Sequence, residues 1–137
     1  MVLLYTDDFI QLESADNKQL IFKLINEETI YNEQGFITSL EYIRQAWKHA
    51  QTHDIQYQFI IDVLLETSVD LPMSAYFKLI QLLMDIQNEL TSNCTGIYFL
   101  THNPDKWKGA YGFITTIWDP LENLSITFNN SYNCINT

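Results

Sequence analysis

The chain has 137 residues, 47% hydrophobic and 14% aromatic, which excludes a disordered polymer and is enough for one domain with its own core. Seventeen acidic against seven basic side chains give a net charge of −10, which repels phosphate backbones and anionic lipid, so neither nucleic acid nor a membrane surface is an expected partner. No apolar run approaches the ~20 residues of a membrane span, and the start of the chain lacks the positive region of a secretory signal.

In chain order, Val2 to Tyr5 is a short apolar run, the candidate for a first edge strand. Phe9 to Glu13 and Leu20 to Ile25 read as two strands of a hairpin, with polar Ser14 to Lys18 as the turn. Asn26 to Asn32 is acidic and polar, hence a loop. Phe36, Leu40, Ile43, Trp47 and Ala50 follow one face of a 3.6-residue period and predict a first helix. Glu33 stands near its positive end, and His49 and His53 near its negative end.

The β-branched and aromatic run Gln58 to Leu65 predicts a strand. Residues 66–71 turn the chain, and Pro72 opens a second helix with Tyr76, Leu79, Ile80, Leu83, Ile86 and Leu90 on one face. Gly96 to Leu100 is a further strand. Asn103-Pro104 then reads as a cap followed by proline at the first position of a third helix. Its stripe is Trp107, Ala110, Tyr111, Ile114 and Trp118, and Pro120 stops it. Leu124 to Phe128 is the last strand, and Asn129 to Thr137 is a polar tail, expected to be unstructured.

Strands separated by single helices imply an α/β fold, a mostly parallel sheet after an N-terminal hairpin. Lys23, Gln58, Asp62, Ser125 and Thr127 alternate with apolar neighbours, whereas strands covered on both faces read as continuous apolar runs. One sheet face is therefore expected to carry all three helices. The other, with Ile60 and Leu64, Ile21 and Ile25, and Ile10 and Leu12, is expected to be an association surface, covered by a twofold dimer or by Val2 to Tyr5 folding across it.

This order, β-β-α-β-α-β-α-β from about Phe9 to Phe128, resembles the STAS domain, the fold of anti-sigma-factor antagonists and of the cytoplasmic tail of sulphate transporters. In that family a strand-end Asp is followed by a second Asp and a Ser-Ser-Gly or Ser-Thr-Gly helix start that carries the phosphorylated serine. Asp62 and Asp70 are similar to the two acids. Leu71 and Pro72 stand where the serine would fall, and Ser68 and Ser74 are out of register. The resemblance implies a divergent STAS-like domain, not switched by a kinase at either serine. It engages a protein partner through Asp62, Glu66, Ser68, Asp70 and Ser74, at the strand edge where open parallel sheets bind ligands.

Other chemistry is sparse. His49 and His53 have the i, i+4 spacing of a metal pair, but the Glu of His-Glu-x-x-His is missing, and a helix C-terminus favours histidines anyway. Cys94 and Cys134 supply neither a disulfide framework nor a zinc site, so reduced thiols in a cytoplasm are expected. Gly109 and Gly112 in the third helix are read as close packing of helix on sheet, and Trp47, Trp107 and Trp118 as core. No catalytic residue, metal or cofactor is assigned. The expectation is a non-catalytic regulatory or interaction module. The alternatives are a small-molecule-binding protein with a pocket between helices and sheet, or a homodimeric scaffold. A deep apolar pocket with a perturbed carboxylate favours the small-molecule reading, and a flat acidic rim favours the interaction module.

Overall fold

The computed structural model describes residues 2–15, 18–25, 32–65, 73–89, 93–118 and 126–135. The elements follow as β1 (Val2–Thr6), β2 (Ile10–Ala15), β3 (Gln19–Leu24), α1 (Glu33–His53), β4 (Tyr57–Asp62), α2 (Met73–Glu89), β5 (Cys94–Leu100), α3 (Pro104–Trp118), β6 (Ile126–Asn129) and a 3-10 turn, Tyr132–Cys134. One mixed sheet runs β1-β2-β3-β4-β5-β6, antiparallel over its first three strands and parallel from β3 onward. No described helix is long and apolar enough to cross a membrane.

Each parallel step needs a crossover. Right-handed crossovers between successive neighbours, always advancing in one direction, place their helices on one face. The packing agrees. Leu20 and Phe22 of β3, Phe59 and Ile61 of β4, and Ile97 and Phe99 of β5 form one buried cluster with Phe36, Ile43 and Trp47 of α1, Leu79 and Leu82 of α2, and Trp107 of α3. Each large side chain buried there is worth about 1.5–3 kcal/mol. Trp47 meets Phe59 edge-on at 6.1 Å, and Trp107 meets Phe99 at 4.5 Å, which seats the outer helices on the sheet.

Helix ends follow the local chemistry. Asn32 caps α1 by accepting from the Gly35 N–H, and left-handed Asp54 (φ 53°) closes it, its N–H reaching the carbonyls of Ala50 and Gln51. Pro104 opens α3 after Asn103, as the sequence predicts. Between helices, Arg44 pairs with Asp85 at 2.7 Å and Lys78 with Glu33 at 3.3 Å.

Four expectations change. Ile10 and Leu12 lie under the helices, because the antiparallel register sets them opposite Leu24 and Phe22, and opposed residues share a face. Val2 to Tyr5 does not fold across the open face. It adds an edge strand antiparallel to β2, with a register shift between Leu3 and Tyr5. Close packing does not explain the glycines of α3, since a Cβ on Gly109 or Gly112 would meet nothing within 4 Å.

The tail is the fourth. Residues 130–135 are structured: after β6 the chain makes its 3-10 turn, with Ser131 accepting from the Asn133 N–H, and Ile135 packs on Ile60, Tyr98 and Leu100. With Ile21 and Leu64 packed on the same cluster, Ile60 and Leu100 are 0% exposed, on the face the sequence left open. The expected loop at 26–31, the turn at 66–71, Pro72, Leu90 and the strand start at Leu124 and Ser125 lie outside the described residues.

Candidate functional site

At the C-terminal edge of the parallel strands, where partner binding is expected, the described Asp62 and Thr101 side chains are bonded within the fold. Asp62 ends β4 on the face away from the helices and is 3% exposed. Its Oδ1 accepts from the Leu64 N–H at 3.0 Å and its Oδ2 from the Tyr132 hydroxyl. Burial, and then the bond to this carboxylate, push the Tyr132 hydroxyl above its ordinary range. Ser74 stands exposed in the first turn of α2. Glu66, Ser68 and Asp70 lie outside the described residues.

The neighbouring β1–β2 turn is equally committed. Asp7 accepts from the N–H groups of Phe9 (2.7 Å) and Ile10 (2.8 Å) and from the Tyr5 hydroxyl (2.7 Å). Burial alone would raise its carboxyl, but these three bonds outweigh burial and hold it below the ordinary value. Thr101, at the end of β5, is buried and accepts from the Asn103 N–H at 3.1 Å.

The opposite edge of the sheet is different. A cavity of about 490 Å³ opens between the C-terminal half of α1 and the starts of β3, β4 and β5, with β1 along its side. Leu20, Trp47 and Phe59 form its apolar walls, and Ala46 and Ala50, one turn apart on α1, leave the room. Tyr42, also in the wall, is braced by stacking on Tyr5 with ring centroids 5.5 Å apart.

Polar groups are few. The Asn93 amide, at the inner end, donates to the carbonyls of Ala50 (3.4 Å) and Ile55 (3.2 Å) and so ties the end of α1 to the start of β5. The Cys94 thiol is buried beside it and directed to the Gly96 carbonyl at 3.4 Å; burial pushes it up, against the opposing effect of backbone contacts from Gly96 and Phe59. His49 lies in the lining, exposed, its ring 4.3 Å from that of His53. Among the described lining residues there is no Asp, Glu, Lys or Arg.

Sequence reasoning named Trp47 and His49 but did not bring them to one site with Leu20, Phe59 and Cys94. The available signal was the pair of alanines on the inward stripe of α1, small residues where a well-filled core places large ones. Among the described residues, no three His, Cys, Asp or Glu side chains gather as a metal site. The chain matches no protein-family model, and no curated protein or solved structure matches it.

Proposed function

We propose that this protein is a non-catalytic binding module that takes a small molecule into the cavity beneath α1. The observation that carries the reading is the cavity itself. Its 490 Å³ falls within the roughly 300–1,000 Å³ of ligand pockets, and its walls are apolar side chains on regular elements. The cavity is open to solvent, with exposed Val2 and Leu3 of β1 in its lining, so a small molecule has a way in.

The partner-docking reading at residues 66–74 has less to support it. Of the five candidate residues, Asp62 is already bonded twice within the chain, Ser74 is exposed, and Glu66, Ser68 and Asp70 lie outside the described residues. The order of a hairpin followed by three helix–strand steps supports a divergent STAS-like module, and occupancy of the cavity would then be its regulatory signal. A cytoplasmic setting accords with the free Cys94 thiol.

The test is uptake of the neutral fluorophore N-phenyl-1-naphthylamine by the intact chain. The expected result is saturable one-to-one binding that falls progressively in Ala46→Leu and Ala46→Phe, with circular dichroism showing both variants folded. No saturable uptake by the parent chain, or uptake unchanged in both folded variants, overturns the proposal.

A further inference from the structure

We infer that the molecule this cavity takes is uncharged, and that ligands bearing a carboxylate, phosphate, sulfonate or ammonium group inside it are refused. The inference rests on the cavity reading above. Its first support is the lining. In a chain where 24 of 137 residues are charged, none of the charged types borders the cavity among the described residues. A charge brought against this lining gives up part of its water and finds no counter-charge among the described lining residues, which disfavours it against a neutral group of the same shape.

The second support is the backbone. The cavity lies under the C-terminal half of α1, where the helix carries its partial negative charge and works against an anion. The −10 net charge adds to that opposition at long range.

The third is Cys94. Its thiol is an ionisable group already in the wall, and burial there pushes it toward the neutral form. The surroundings that penalise a thiolate penalise any other anion. For a cation the aromatic faces of Tyr42, Tyr57 and Phe59 are present, but among the described lining residues there is no carboxylate, and the Trp47 ring already has Arg44 over it at 5.8 Å. What the lining does offer to a neutral molecule is one or two hydrogen bonds, from Ser14, Gln45, Tyr57 or His49.

The matched ligands 1-naphthalenemethanol, 1-naphthaleneacetate and 1-naphthylmethylammonium separate the possibilities, since they share one apolar body and differ in the charge at its end. Each is titrated against bound N-phenyl-1-naphthylamine at one fixed pH and ionic strength at which the acetate and the ammonium are both ionised. The alcohol is expected to displace the fluorophore at a concentration at least about tenfold lower than either ion requires. Displacement by the acetate or the ammonium at or below the alcohol's concentration overturns the inference, as does failure of all three, while the cavity reading stands. Absence of fluorophore binding to the parent chain instead removes the reading on which the inference rests.

Discussion

The Tyr132 hydroxyl donates a hydrogen bond to the Asp62 carboxylate, joining the terminal turn to the end of β4 across 70 positions of sequence. Asp62 has its other oxygen on the Leu64 N–H, so a nearly buried carboxylate is satisfied on both sides. That bond holds down the turn that places Ile135 on Ile60, Tyr98 and Leu100. The polar tail of the sequence is thus the lid of the second, smaller core.

Tyr132→Phe keeps the ring and removes only the donor, leaving one oxygen of a buried carboxylate without its partner. A loss of about 1–3 kcal/mol is expected, read as a lower urea midpoint at unchanged slope. Adding Asp62→Asn should cost less than the sum of the two single changes, because both break the same bond.

Truncation after Asn129 uncovers Ile60, Tyr98 and Leu100 together. The intact chain has this patch covered, and the shortened one is expected to self-associate through it, more strongly as salt screens the −10 charge. Light scattering at low and moderate ionic strength reads the outcome. A truncated chain that is monomeric at both places the cover elsewhere.

The glycines divide in sign. At Gly109 and Gly112 a Cβ meets nothing, so Gly→Ala should stabilise α3 by about 0.5–1 kcal/mol at each position, through reduced freedom of the unfolded chain. At Gly35 a Cβ would fall 2.2 Å from Asp7 Oδ2 and 2.7 Å from Asn32 Nδ2. Gly35→Ala must displace the Asp7 carboxylate from the Tyr5 hydroxyl and the Asn32 side chain from its cap, and a loss of about 1–3 kcal/mol is expected in thermal or urea unfolding.

The bond between Tyr5 and Asp7 marks stability at both ends of the pH scale. Asp7 is held below its ordinary value of 3.8, so the stability it contributes is present above that pH and is lost as pH falls below it. Tyr5, raised by burial and then by its bond to Asp7, is pushed up to about 12. Its contribution is whole below its ordinary value of 10.0 and is lost as pH rises from there to about 12. Tyr5→Phe should reduce the alkaline loss, leaving the part that belongs to Tyr132, and weaken the acid one, and Asp7→Asn should flatten the acid limb, in unfolding free energies measured across pH.

Much of the fold was legible because its elements obey simple periods. The stripe from Phe36 to Ala50 is α1, and the polar alternation of Lys23, Asp62 and Thr127 marks the face without helices. In β2 the same alternation was present in Gln11 and Glu13 and already pointed Ile10 and Leu12 under the helices. The tail was harder, since only Tyr132, Cys134 and Ile135 interrupt its polar composition, and the partners of Tyr132 and Ile135 lie on β4 and β5. The cavity was hardest. A void arises where α1, β1 and three strand starts fail to fill one another, and no single stretch of sequence carries that pattern.

The most direct measurement is a two-dimensional NMR titration of the intact chain with N-phenyl-1-naphthylamine. The account predicts that shifts centre on Leu20, Ala46, Ala50, Phe59 and Cys94, with the opposite edge of the sheet unmoved. Shifts centred instead on Val63, Leu64 and Ser74 at the far edge of β4, with the cavity residues unchanged, would contradict it.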